Sequence, residues 1–389
     1  MVHKPFPREL NWLKGRSSAF VFGPRMTGKT TLLKSIGSSH YFNLLDPETE
    51  LRFRATPSLF WEQIRSLPKE SLIIVDEIQK VPALLDYIQL GIEDLKQRFI
   101  LSGSSARKLK RGSANLLGGR LLDLKLHPLT AQEIGKPFDP RYALQFGTLP
   151  RIYSLLLSGG KEGEEDARGL LKSYVTTYIK EEIQAEAATR NVGAFQRFLP
   201  VAAQSNGQVI EFANISRECS VPMSTVKEYY SILEDTLLGE FLWPYDRSER
   251  KKARPKFYFF DCGVIRALQH RLTDPPTPVE NGFLFETWLF RELVRIRDYC
   301  EKEHEFGLWR DGKHEIDFIV MRGGKPLLAI ECKTRLDTDF DPATLQTFRK
   351  AFPKVPLLVV SLSDKRHRRL DSGVEVYPYK DFLDFYRQF

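Results

Sequence analysis

A chain of 389 residues is too long for one ordinary core and implies two or three domains. With 42% hydrophobic residues it has ample material for burial, which excludes wholesale disorder. Its 58 basic and 50 acidic residues leave a formal charge of +8, a surplus that permits an anionic partner without naming one. Cys219, Cys262, Cys300 and Cys332 form no CxxC pair or metal-ligand cluster and read as reduced thiols. No apolar run reaches the ~18 residues of a membrane span, and the N-terminus has no long apolar segment of the signal-peptide kind. A soluble, cytoplasmic protein is expected, with no membrane partner.

Short apolar runs bounded by turn residues fill the first third: AFVF at 19–22, YFNLL at 41–45, LIIV at 72–75, FILS at 99–102 and LLDLKL at 121–126. Such runs suit strands buried on both faces, a parallel sheet covered by helices. An α/β domain over 1–135 is expected, closed where GKPFDP breaks the pattern. Residues 23–30, GPRMTGKT, satisfy G-x-x-x-x-G-K-[ST] between a strand and a helix, the P-loop pattern. Gly23 and Gly28 let the backbone curl so that amide hydrogens point at phosphate oxygens. The loop residues Pro24, Arg25, Met26 and Thr27, with Thr31 just beyond, complete the expected nucleotide contact. Lys29 would reach the β- and γ-phosphates, and the Thr30 hydroxyl would bind Mg2+. The predicted cofactors are ATP and Mg2+. In LIIVDE, Asp76 would hold the magnesium and Glu77 would polarise the attacking water. The strand that runs into SGSS offers Ser102 or Ser104 to the γ-phosphate, although a plain serine turn gives the same letters. Arg120, in LLGGR, is a candidate arginine finger, in cis or from a neighbouring subunit of a homo-oligomer; a surface arginine is the rival reading.

From about 141 to 270 the periodicity becomes helical, within a middle domain expected over 136–271, a helical lid and winged helix. FANISREC, the turn SVPM and STVKEYYSILEDT, with Ser224 as a plausible N-cap, read as helix, turn, helix. GEFLWPY and KFYFFD follow as a hairpin joined by DRSERKKARPK, the winged-helix pattern. Arg247, Arg250, Lys251, Lys252, Arg254 and Lys256 make that hairpin basic, suited to DNA phosphates or merely solvated.

LTDPPTPVENG at 272–282 reads as a linker into a third domain over 272–389. There HEIDFIVMRGGKPLLAIECK folds as two strands about RGGKP. Counting outward from Gly324, Asp317 and Glu331 are each seven residues away and so face each other across the ladder, with Lys333 on the same face. Like charges so paired call for a cation between them, and oxygen ligands favour Mg2+ or Mn2+. This is the D-x(n)-E-x-K pattern of a nuclease site: Asp317 and Glu331 as metal ligands, Lys333 to activate water, and Glu286 as a third carboxylate. An ordinary solvated hairpin is the bland alternative.

As an ordered set, GPRMTGKTTL, LIIVDEIQ, ILSGSS…LLGGRLLDLKLHPLT, FGTLP, PKFYFFDCG, GFLFE, EIDFIV and AIECK resemble a prokaryotic family of AAA+-like ATPases over essentially the whole chain. The resemblance implies an ATPase core, a helical and winged-helix middle and a C-terminal PD-(D/E)xK, restriction-endonuclease-like α/β domain of unknown function. It supports Lys29, Thr30, Asp76 and Glu77 for nucleotide, and Glu286, Asp317, Glu331 and Lys333 for the second site. Met26-Thr27 stands where related loops often carry Gln-Val or a similar pair. The leading expectation is an ATPase that binds or processes DNA under ATP control. A nucleotide-driven regulatory switch with an inert C-terminal module is the rival, and a small-molecule kinase ranks last.

Overall fold

The computed structural model describes residues 6–10, 13, 15, 17–38, 40–104, 119–178, 192–245, 254–336 and 338–389. Its N-terminal unit is a five-stranded parallel sheet: β1 (Ser18–Phe22), β2 (His40–Asn43), β3 (Leu72–Asp76), β4 (Arg98–Gly103) and β5 (Leu121–Lys125). The strand order is β2-β3-β4-β1-β5, so β4 lies between the strand before the glycine loop and the strand that ends in Asp76. Ligands gather outside the carboxyl ends of such strands, and both sequence motifs converge there. The helices are α1 (Lys29–Ser35), α2 (Pro47–Ala55), α3 (Ser58–Arg65) and α4 (Leu84–Glu93). One start signal is explicit: Asp46 accepts a hydrogen bond from Thr49 N ahead of Pro47. The three inner strands are almost wholly buried, but β2 and β5 are half exposed. Burial on both faces, expected of all five runs, therefore fails at the two edges, where among the described residues no further strand covers them.

The middle unit comprises α5 (Ala131–Ile134), α6 (Pro140–Phe146), α7 (Pro150–Ser158), α8 (Gly160–Ser173), α9 (Val192–Gln204), α10 (Phe212–Cys219) and α11 (Met223–Asp235). Strands β6 (Gly239–Leu242) and β7 (Lys256–Phe259) then pair antiparallel, and α12 (Cys262–Leu268) follows. Val226, Tyr229, Tyr230 and Leu233 of α11 enter its core as their helical spacing predicts. Ser224 is not the cap: α11 begins at Met223 behind Pro222, and no side chain caps it. Gly147, at φ 77°, lets α6 end against Asp261; a Cβ there would stand 1.8 Å from Asp261 Oδ1, whose partner oxygen accepts from Thr148 N at 2.7 Å. FGTLP and PKFYFFDCG thus meet in space.

The third unit starts earlier than its linker-like sequence suggests. Thr277 and Glu280 form a capping box around Pro278, so PVENG is the first turn of the 22-residue α13 (Pro278–Tyr299). The remaining elements are β8 (Glu305–Asp311), β9 (His314–Arg322), β10 (Lys325–Lys333), α14 (Pro342–Ala351), β11 (Leu357–Ser361), β12 (Arg368–Arg369), β13 (Glu375–Pro378) and α15 (Tyr379–Gln388). They build a mixed sheet of order β12-β13-β11-β10-β9-β8. Helices α13 and α15 cover one face and α14 the other. Helix α13 also reaches beyond its own unit. Tyr299, its last residue, packs in an N-terminal core with Val21, Leu33, Ile74 and Ile100.

Candidate functional site

Two separate assemblies of polar groups emerge. The first lies at the carboxyl end of the parallel sheet. Gly28 at φ 92° turns the chain from the loop into α1, whose first residue is Lys29. Thr27 Oγ1 donates to Pro24 O at 2.8 Å, which tightens the loop from within. Lys29 is buried, and its Nζ donates to Gly23 O at 2.6 Å and Pro24 O at 3.1 Å. Thr30 Oγ1 donates to Asp76 Oδ2 at 2.8 Å, so loop and acidic strand end are in direct contact. Asp76 is wholly buried and accepts two further hydroxyls, from Tyr41 at 2.5 Å and from Ser102. Three hydroxyls fix this carboxylate's orientation. Nothing in the run YFNLL marks Tyr41 for this role. The Glu77 backbone is left-handed at φ 62°, and its N–H donates to Ser102 Oγ at 3.1 Å. Its carboxylate accepts from Gln79, whose amide also reaches Ser104 Oγ at 3.4 Å. Gln79, two residues past Glu77 in LIIVDEIQ, thus joins the acidic pair to the serine strand. Arg25 and Thr31 lie at the exposed surface.

Arg120 stands elsewhere. It precedes Leu121, the partner of Ser18 at the start of β1, whereas the loop follows Phe22 at the strand's end. Five strand residues, roughly 16 Å, separate the two edges. There Arg120 pairs with Glu93 at 2.6 Å, so in cis it does not reach the phosphate loop. An arginine from outside the loop that does is Arg8, which belongs to no sequence motif. It donates to Thr27 O at 2.8 Å, His127 O at 2.6 Å, Glu133 at 2.9 Å and Tyr299 OH at 3.1 Å. The same joint holds His127, whose Nε2 lies 2.8 Å from Asp298 Oδ2 and whose N–H donates to Tyr299 OH at 3.0 Å. Burial pushes the His127 pKa down to about 4, with Arg291 and Arg295 also opposing a second positive charge there.

The second assembly is in the third unit. The turn Gly323–Gly324 pairs Arg322 with Lys325, which by itself would set the register one residue off. An extra β10 residue between Pro326 and Leu328 corrects it, so that Ala329 faces Ile319 and Ile330 faces Phe318. Carried one step further, Glu331 faces Asp317. Counting from Gly324 thus reaches the right pair through a bulge the count does not contain. On its other edge β9 bulges too, with Asp317 and Phe318 together opposite Leu308. Asp317 Oδ2 accepts from Cys332 N at 2.8 Å, and Lys333 Nζ donates to Glu331 Oε1 at 2.8 Å.

A second cation among these carboxylates is Lys256. It is 4% exposed, and its Nζ lies 2.8 Å from Glu286 Oε1, 2.7 Å from Glu315 Oε1 and 3.9 Å from Asp317 Oδ1. Tyr258 OH also donates to Glu286 Oε1. This corrects two expectations. Lys256 is not on the basic surface of the hairpin, because β7 packs it inward against α13 and β9. And among the described residues no three His, Cys, Asp or Glu side chains are gathered to hold a metal ion; Glu286, Glu315 and Asp317 lie about the Lys256 ammonium, and Glu331 pairs with Lys333. Burial drives the pKa of Glu286 up to about 7, with the charge of Asp317 adding to it. Burial, then the charge of Glu331, lifts Asp317 to about 7 as well. Burial works against the charge of Lys256, but Glu286, Asp317 and Glu315 outweigh it and raise its pKa. Glu331 Oε2 is buried without a hydrogen-bond partner, so the oxygen-only donor set still fits a hard cation in its chemistry.

The connecting loop of the hairpin, with Arg247, Arg250, Lys251 and Lys252, lies outside the described residues. Arg254 is exposed and pairs with Glu211. A second basic run stands outside every motif. Lys365, Arg366, His367, Arg368 and Arg369 are consecutive and all exposed, a signal that is plain in the letters themselves. The run follows β11, whose Ser361 pairs with Lys333, so it lies on the same edge as the carboxylate centre. Arg368 is anchored to Asp364 at 3.0 Å and to Leu336 O at 2.7 Å. Among the described residues no helix is long and apolar enough to cross a membrane.

Residues 16–135 match a family model described as an AAA domain, residues 139–274 a domain of unknown function (DUF8612), and residues 281–382 a second one (DUF4143). An uncharacterized protein of Mycobacterium tuberculosis is 26% identical over 315 residues, covering 78% of this chain and 67% of the relative. Another, of Haemophilus influenzae, is 23% identical over 287 residues, covering 69% and 67%. Among solved structures, the Aeropyrum pernix ORC1 protein in complex with DNA is 15% identical with a TM-score of 0.32, covering 65% of this chain and 86% of that one. The chain is an α/β protein that carries an AAA domain on a five-stranded parallel sheet, followed by DUF8612 and DUF4143 segments, the last built on a mixed sheet.

Proposed function

We propose that this chain is a magnesium-dependent ATPase that controls a nuclease-type site in its C-terminal unit, with DNA as the partner. The observation that carries the ATPase reading is the Thr30–Asp76 hydrogen bond at the mouth of the P-loop. It brings the magnesium-binding hydroxyl and carboxylate of a nucleotide site together across 46 residues of chain. The amides of Gly23 and of Arg25 to Thr30 would cradle the phosphates, and Lys29 would exchange the Gly23 and Pro24 carbonyls for phosphate oxygens. Thr30 and Asp76 would hold Mg2+, which neutralises charge on the transferring phosphoryl group when bound. Glu77, steered by Gln79, would orient the attacking water, and Ser102 and Ser104 would sense the γ-phosphate. Arg120, on the far edge of the sheet, would serve a neighbouring copy in a homo-oligomer.

For the C-terminal unit, the order Glu286, Asp317, Glu331, Lys333 on a mixed sheet supports a restriction-endonuclease-like reading. Glu286, Asp317 and Glu331 would hold Mg2+ or Mn2+, whose chemistry is to polarise a phosphodiester. Helix, turn, helix and hairpin over α10–β7 support a winged helix. The exposed run 365–369 gives a phosphate backbone a second place to lie. The test is plasmid and single-stranded DNA incubated with full-length protein and Mg2+ or Mn2+, with and without ATP. Cleavage that Asp317→Asn and Lys333→Ala abolish is the expected result. A second reading, a nucleotide switch with an inert C-terminal module, is favoured by Lys256 standing among the carboxylates. DNA left intact while ATP is hydrolysed would establish it instead.

A further inference from the structure

The carboxylate centre draws two of its groups from another unit. Lys256 and Tyr258 stand two residues apart on β7, and both donate to Glu286 Oε1. Period-two alternation sends both side chains to one face of the strand. Lys256 is a bridge as well as a partner, because its ammonium is shared between Glu286 and Glu315. Glu315 belongs to no expected ligand set. It is also held by Arg310, at 2.9 Å from Nε, so it would stay in place as an anion if Lys256 shifted wholly towards it. Glu331 Oε2, buried with no hydrogen-bond partner in a residue 8% exposed, marks an acceptor that the present arrangement leaves unused. A dication among Glu286, Asp317 and Glu331 would satisfy that oxygen. It would also be repelled at close range by the ammonium already there.

We propose that Lys256 is the resident counter-ion of this centre, and that a divalent metal ion enters only as the ammonium retires from Glu286 and Asp317 to Glu315. The proposal rests on the metal-site reading above. It makes loading of the C-terminal centre depend on the β6–β7 hairpin, so the middle unit governs the site it borders. It also reconciles the two functional readings, because the centre is closed with Lys256 seated and competent once it has moved.

The test is Mn2+ binding to full-length protein without nucleotide, read from the loss of the free-ion paramagnetic resonance signal. The Asp317→Asn variant reports sites elsewhere on the chain. Lys256→Gln is expected to bind Mn2+ about tenfold or more tightly than wild type, and the gain should vanish in the Lys256→Gln, Asp317→Asn double variant. Lys256→Arg, which keeps the charge, should stay near wild type. Glu315→Gln keeps the lysine and removes its retreat, so it should weaken Mn2+ binding several-fold. That variant decides the matter if Lys256→Gln fails to fold. Equal affinity in wild type, Lys256→Gln and Glu315→Gln overturns the counter-ion role while leaving a metal site intact. Binding in none of them beyond the Asp317→Asn level overturns the metal-site reading itself.

Discussion

The phosphate loop and the carboxylate centre both sit at strand ends, yet they are built on opposite plans. The loop is local: eight consecutive residues supply glycines, lysine and threonine, and distant segments serve chiefly to present and orient one carboxylate, Asp76. Its donors are mostly backbone amides, which cannot be misplaced once the turn forms. The carboxylate centre is assembled from β7, α13, β9 and β10, and depends on two bulges to aim its side chains. A site of the first kind tolerates change around it. A site of the second kind gains a point of control with every segment it recruits.

The sharpest way to break this contrast is Lys29→Ala. Loss of the buried cation of the loop should lower ATP turnover by about two orders of magnitude or more, with the melting temperature little changed. Turnover near the wild-type rate would show that the loop is not the hydrolytic site. Tyr41→Phe removes one of three hydroxyls on Asp76 and should raise the Mg2+ requirement for ATP hydrolysis about tenfold, read from magnesium titrations. A smaller effect separates the two regions directly. Lys365→Glu with Arg366→Glu should flatten the salt dependence of DNA binding by about one unit of slope for each phosphate no longer neutralised, leaving ATP turnover alone. An unchanged slope would remove that run from the DNA surface. The smallest concerns the joint between the regions. His127 has a folded pKa near 4 against an ordinary value of 6.5, so protonation favours the unfolded chain. Its contribution to stability is complete above pH 6.5 and diminishes as pH falls from there towards 4. His127→Gln should flatten that slope in a series of melting curves, and an unaltered slope would assign the acid sensitivity to other groups.

What could be read from the letters follows the same division. GPRMTGKT is self-contained, and LIIVDE ends a strand whose burial is plain from composition. Asp317, Glu331 and Lys333 are legible because a glycine turn supplies an axis to count from. Lys256 is not. In DRSERKKARPK it is one more basic letter, and only the packing of β7 against α13 reveals that it points inward. Tyr41 likewise sits in an apolar run with nothing to mark its hydroxyl. The start of α13 is hidden by prolines that suggest a linker, although T-P-x-E also spells a capped helix, and the capping reading is the one that the fold obeys.

Helix α13 has one further consequence. Glu286 stands about two turns into it and Tyr299 at its end, thirteen residues or about 20 Å along a single unbroken rod. Its far tip plugs the interior beneath the phosphate loop, where Arg8 clasps the loop carbonyl of Thr27 and the Tyr299 hydroxyl together. A C-terminal unit borrowed from a relative could therefore not be grafted on at the seam before 281. The graft would bring its own rod tip, and the nucleotide-binding half would have to be recut to receive it.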